Sequence, residues 1–165
     1  MNVRIHVLPD AAAVAAAAAD RFVESARQGV QRGGRCGVVL AGGSTPAAMY
    51  RLLAQPPRVD AVRWDALRVY FGDERCVGPD HPDSNFRMAC QTLLDHVDLP
   101  ADHIRRMRGE TEPAAAADEY EDWLRRDFAD AAPDLVLLGM GDDGHTASLF
   151  PHSPALRARG RWCVA

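Results

Sequence analysis

"RCGVVLAGGSTPAAMYRLLA", residues 35–54, changes character twice within one short stretch. Residues 35–41 are a short β-branched apolar run, the composition of a strand buried on both faces in a parallel sheet. Gly42 and Gly43 then break the run, and "STP" opens a segment of helix formers, "PAAMYRLLA". Proline suits a first helical turn, where its missing N–H costs nothing, and Ser44 or Thr45 suits the N-cap. A strand, a glycine turn and a helix in that order form half of a βαβ unit. The free N–H groups of the helix start, with the positive end of its dipole, make an anion site of the kind that takes phosphate. No lysine follows the glycines, so this is not a Walker loop.

The same alternation runs through the rest of the chain. "VRIHVL" (3–8) reads as a first strand. A long alanine-rich helix follows, with Asp10 as N-cap and Gly33–Gly34 as its stop. Pro56–Pro57 end the helix after Gly43. "LRVYF" (67–71) is another strand, a helix runs from Asn85 to Asp95, and "HIRRM" (103–107) is a weak short strand. "EPAAAADEYEDWLRRDFAD" (112–130) is a helix with Ala116, Tyr120, Trp123 and Leu124 near helical spacing. "DLVLLGM" (134–140) reads as a central strand, and "RWCVA" (161–165) starts one more. Alternating strands and helices imply an α/β domain with a parallel sheet. No linker or repeat divides the chain, so residues 1–165 read as a single domain.

Composition narrows the function classes. The 165 residues carry a formal charge of -4. That balance does not favour a nucleic-acid or anionic-membrane partner. All 19 basic residues are arginine, so a cationic contact must come from arginine or a protonated histidine. Cys36, Cys76, Cys90 and Cys163 are scattered without a CxxC pair, which argues against structural zinc; no metal site is expected. The start of the chain lacks a leader pattern, and no apolar stretch is long enough to span a bilayer. The expectation is a cytoplasmic protein with reduced thiols.

Ligands of open parallel sheets bind beyond the carboxyl ends of the strands. Three loops follow predicted strands and should meet there: "AGGSTP", "FGDERCVGPDHPDSN" and "GMGDDGHTASLFP". Gly42, Gly43, Ser44 and Thr45 are the phosphate-side candidates. In the second loop, Arg75 suits a bidentate contact to phosphate or carboxylate, and Asp73 could orient a histidine or a sugar hydroxyl; both are catalytic candidates beside His145, with Asp73 the alternative group to activate water. Glu74 reads as a solvated charge, and Ser84 and Asn85 as caps of the next helix, with Asn85 also a binding candidate. In the third loop, Gly139, Gly141 and Gly144 permit a tight turn beside a ligand, with Asp143 among the binding candidates. His145 is the candidate general base. Ser148 lacks a nucleophile elbow and is not expected to attack substrate. His81, His96, His103 and His152 read as surface or structural residues.

Together, "LAGGSTPAAMYRLLA", "VYFGDERCVGPDHPDSNFRMA" and "DLVLLGMGDDGHTASLFPHSPAL" resemble the 6-phosphogluconolactonase family in the right order through nearly the whole chain. The resemblance implies a Rossmann-like, three-layer αβα fold with a mostly parallel sheet, shared with sugar-phosphate deaminases and isomerases. It implies hydrolysis of 6-phospho-D-glucono-1,5-lactone without a metal or organic cofactor. His145 then matches the catalytic histidine, Arg75 and Asp73 belong to the "DER" motif, and Gly42–Thr45 form the phosphate-side loop. Whether Arg75 serves the phosphate or the reacting end stays open. The expected partner is a small phosphosugar lactone, with no nucleic acid and no membrane; oligomeric state is open, with a monomer favoured. Relatives continue for several elements beyond "RWCVA", so the C-terminal part of the fold is expected to be missing. The rival of the same fold, a glucosamine-6-phosphate deaminase, carries an asparagine–glutamate pair after the histidine, where this chain has "HTASLFP". A non-catalytic sugar-phosphate-binding domain is the rival from another class.

Overall fold

The computed structural model describes residues 3–165. Helix α1 spans Ala11–Gly33. The Asp10 carboxylate accepts the Ala13 N–H at its start, and Gly34, at φ 72°, closes its end by donating to Val30 O. This is the left-handed cap that a glycine adopts without penalty. Ala15, Ala19, Phe22 and Ala26 recur at spacings of three and four, and that stripe is the face α1 buries.

Strand β1 (Cys36–Leu40) is buried along its whole length, and β2 (Leu67–Phe71) pairs with it in parallel, from Cys36 opposite Leu67 to Leu40 opposite Phe71. Between them lies α2 (Ser44–Leu53), and after β2 comes α3 (Asn85–Thr92), whose N-cap Ser84 accepts the Arg87 N–H. Helix α4 covers Pro113–Asp127, capped by the Glu112 carboxylate. Strand β3 is Leu135–Val136, parallel to β1, and the sheet order is β2-β1-β3.

Alternate strand residues serve opposite layers, as the two-residue side-chain period requires. Val38, Leu40, Val69 and Phe71 face α1, α2 and α3 in the larger core. Val39 and Tyr70 face α4 through Tyr120 in the smaller one. The three-layer αβα arrangement with parallel pairing agrees with the sequence reading.

Four strand assignments need correction. Residues 3–8 form no ladder, and Ile5 and Val7 stay exposed. Alternating apolar letters make a strand only where a neighbour takes the N–H and C=O groups. Residues 103–107 contribute a single parallel bridge, Ile104 to Val69. The run 134–140 is not central. Its backbone N–H groups pair with β1, through Asp134 N–H to Gly37 O and Leu137 N–H to Val39 O, so β1 is the middle strand among the described residues and Val136 and Leu138 are exposed. Residues 161–165 are irregular. They are tied to α4 instead, through Glu121, which accepts from the Arg161 guanidinium and from the N–H groups of Trp162 and Cys163. Asp95 also falls outside α3, in a short 3₁₀ turn, Leu94–His96.

Candidate active site

Two buried tyrosines set where the first two loops leave the sheet. The Tyr50 hydroxyl accepts the Ala41 N–H at 3.0 Å and donates to Ala41 O at 2.9 Å, just past the end of β1. The Tyr120 hydroxyl does the same at the last residue of β2, accepting from Phe71 N–H at 2.7 Å and donating to Phe71 O at 3.0 Å. Burial pushes both phenols well above their ordinary range, so they stay neutral and able to donate. Nothing in the local sequence singles out these two clamps, because each tyrosine sits on a helix, 9 and 49 positions along the chain from the residue it holds.

The first loop enters α2 through Gly43, at φ 106° and ψ 172°, a backbone region that is essentially glycine's own. Gly43, rather than Ser44 or Thr45, is the N-cap, and no side chain satisfies the helix start. The N–H groups of the first turn therefore keep their donor capacity toward the cleft.

The second loop is held from behind. Glu74 is not a loose surface charge. Its Oε1 accepts the N–H groups of Arg75 (2.8 Å) and Asn85 (2.7 Å), and its Oε2 accepts the Phe86 N–H (2.9 Å) and the Ser84 hydroxyl (3.1 Å). A carboxylate at the start of α3 also meets the favourable end of the helix dipole. Asn85 is buried, and its amide Nδ2 donates to both Asp73 O and Asp73 Oδ1 at 3.1 Å. The other Asp73 oxygen, Oδ2, accepts the Ser148 hydroxyl at 2.7 Å. With both oxygens engaged, Asp73 acts as a tie between loops. The Arg75 guanidinium makes no hydrogen bond or ion pair among the described residues.

The third loop folds around His145. Gly141 N–H donates to His145 O, and Gly144, at φ 83°, donates to Gly141 O, both at 2.9 Å. A Cβ on Gly141 would lie 2.2 Å from His145 Cε1, so the ring occupies space that only a glycine leaves. Asp143 Oδ1 takes the His145 N–H at 3.1 Å and faces its Nδ1 at 2.5 Å. That contact assigns the proton to Nδ1 and leaves the Nε2 lone pair as the acceptor. The backbone N–H of His145, followed by its imidazole, holds the Asp143 carboxyl below the usual range. The Phe150 ring lies against the imidazole, centroids 4.4 Å apart.

These loops enclose a polar cleft of about 270 Å³. Gly42, Gly43, Ser44 and Thr45 line one wall. Asp73, Arg75 and Asn85 line the second, and Gly141 and His145 the third, with Gly139, Met140 and Ala147 completing it. Asp143 and Gly144 stand behind His145 and do not line the cleft, since Asp143 is spent on orienting the ring. A larger, mostly apolar hollow of about 790 Å³ lies on the α4 side, against Tyr120, Leu124 and Phe128, and meets the cleft at Asp73 and Ala147. Among the described residues, the polar cleft joins a free imidazole nitrogen, an unpaired guanidinium and a helix start.

Comparison with known proteins identifies the family of this fold. The family described as glucosamine-6-phosphate isomerases/6-phosphogluconolactonase matches residues 9–165. A 6-phosphogluconolactonase of Nostoc is 43% identical over 167 residues, covering 98% of this chain and 68% of that protein. One from Synechocystis is 46% identical over 130 residues, covering 75% of this chain and 52% of that one. The solved 6-phosphogluconolactonase of Trypanosoma cruzi superposes with a TM-score of 0.77 at 31% identity, over 90% of this chain and 63% of that one. The chain thus spans between about half and two thirds of these relatives' length. With the family matched from Pro9 to Ala165 and the glycine–histidine loop folded beside a helix start, the chain belongs to the glucosamine-6-phosphate isomerase/6-phosphogluconolactonase family.

Proposed function

We propose that the cleft hydrolyses 6-phospho-D-glucono-1,5-lactone to 6-phospho-D-gluconate, with His145 as general base. The observation that carries this reading is the state of His145. Its Nδ1 is held by Asp143 while Nε2 is left for the cleft, which also receives the α2 start and Arg75. The lactone is an activated ester, so no covalent intermediate is needed. Nε2 takes a proton from water as its oxygen bonds to C1, giving a tetrahedral oxyanion. The C1–ring oxygen bond then breaks, the imidazolium returns the proton to the leaving ring oxygen, and the new carboxylic acid ionises. The negative Asp143 behind the ring stabilises the imidazolium between these steps.

Negative charge on the substrate has two receivers. The N–H groups of the α2 start suit the phosphate, with the Ser44 and Thr45 hydroxyls beside them. Arg75, exposed and unpaired among the described residues, supplies a mobile cation to the phosphate or the oxyanion. The reaction as written uses no metal and no organic cofactor. A cytoplasmic place is the matching proposal. No helix among the described residues is long and apolar enough to cross a membrane, and all four cysteines are free thiols.

The test is His145→Ala, with lactone hydrolysis followed against the spontaneous background. Loss of the base should lower kcat by about a hundredfold to ten-thousandfold, with thermal unfolding unchanged. Near-normal turnover would remove His145 from the chemistry and the proposal with it.

A further inference from the structure

We infer that Ser148 is a positioning residue whose hydroxyl latches the histidine-bearing loop onto Asp73. The inference rests on the reading of His145 as the base. Its basis is the way residues 139–151 are held. Their other hydrogen bonds, among the described residues, are local: Gly141 to His145, Gly144 to Gly141, Leu149 to Thr146, Ser153 to Phe150, and the Asp143–His145 pair. Ser148 Oγ to Asp73 Oδ2, at 2.7 Å across 75 positions of sequence, is the one that reaches another element of the fold.

The latch works against a backbone preference. Ala147, between the base and the serine, sits at φ 48°. A residue with a Cβ adopts that left-handed conformation only where its surroundings hold it there. Ala147 also lines the cleft, so the strained residue and the base share one wall. Without the serine hydroxyl, Ala147 is free to return to negative φ, and His145 swings away from the α2 start with it.

Asp73 is suited to be the anchor because it is itself fixed. Its Oδ1 receives Asn85 Nδ2, and Asn85 in turn packs against Gly42 in the first loop. One carboxylate therefore registers all three loops against each other. This gives Asp73 a positioning task rather than that of a second base, and it explains a serine that is not a nucleophile.

The experiment compares Ser148→Ala, Ser148→Thr, Asp73→Ala and the Ser148→Ala/Asp73→Ala double variant. Ser148→Ala should lower kcat for the lactone by about tenfold to a hundredfold, the range that an ångström of misplacement costs, with KM changed far less. Ser148→Thr, which keeps the hydroxyl, should recover most of the loss. The double variant should be no slower than Asp73→Ala alone, because the Asp73 change has already removed the link that Ser148→Ala breaks. A second readout needs no turnover: amide hydrogen exchange at Gly141, Gly144 and Leu149 should quicken in Ser148→Ala while β1 amides keep their protection. Unchanged exchange overturns the latch whatever the activity. Faster exchange with wild-type kcat overturns the positioning role. If the wild-type protein hydrolyses no lactone, the lactonase reading fails by itself, and the exchange data alone decide whether Ser148 holds the loop.

Discussion

Gly42→Ala tests the packing of the cleft wall at a single atom. The backbone of Gly42 is not in the left-handed region, so the substitution costs little in φ. Its cost comes from Asn85. A Cβ built on Gly42 falls 2.0 Å from Asn85 Oδ1, 2.6 Å from Cγ and 2.9 Å from Nδ2. All three belong to a side chain that is 5% exposed and pinned to Asp73. The amide must leave. It then gives up one hydrogen bond to a carboxylate, about 1.5–3 kcal/mol, and one to a backbone carbonyl, about 0.5–1.5 kcal/mol. Against this, alanine restricts the unfolded chain and returns about 0.4–1 kcal/mol. The loss wins, with a net destabilisation of about 2 kcal/mol, or about 4–8 °C in Tm for a domain of this size. Thermal unfolding by circular dichroism measures it. In an Asn85→Ala background the obstacle is gone, so adding Gly42→Ala should lower Tm no further. A Gly42→Ala protein that melts at or above the wild-type temperature would refute the argument, because Asn85 would then have somewhere else to go.

Two further outcomes follow from groups outside the cleft. The Arg161 guanidinium, then Arg125 and the N–H groups of Cys163 and Trp162, depress the Glu121 carboxyl to about 2 from its ordinary 4.5. A carboxyl lowered on folding stabilises above its unfolded value and loses that contribution as pH falls toward the folded one. The Tm gap between wild type and Glu121→Gln should therefore be full near neutral pH and close between about 4.5 and 2; a gap independent of pH contradicts the clamp on residues 161–163. Burial, and then the Asp134 carboxylate, push the Cys36 thiol up to about 12, and burial raises Cys90 to about 11, while Cys76 is exposed. A thiol reagent at mildly alkaline pH should label one cysteine quickly in the folded protein, lost in Cys76→Ser, and all four after denaturation; several fast thiols would contradict the packing.

What the sequence determined by itself was largely what is decided within a few residues. Asp10 and Gly34 bound α1 because caps are local hydrogen bonds, and "LRVYF" is β2 residue for residue because a β-branched and aromatic run between breakers has little else to be. Once β1, β2 and β3 are parallel, the three loops necessarily leave at one edge, so Gly42–Thr45, Arg75 and His145 could be brought together on paper. The tertiary structure decided which partner each polar group takes. Glu74, Ser84, Asn85 and Ser148 all carry more than one possible hydrogen bond, and the choice depends on neighbours up to 75 positions away. It also decided which apolar runs become strands. Residues 3–8 and 161–165 have the letters, yet strand formation is a property of a pair, and among the described residues neither run has a neighbouring strand to complete its ladder.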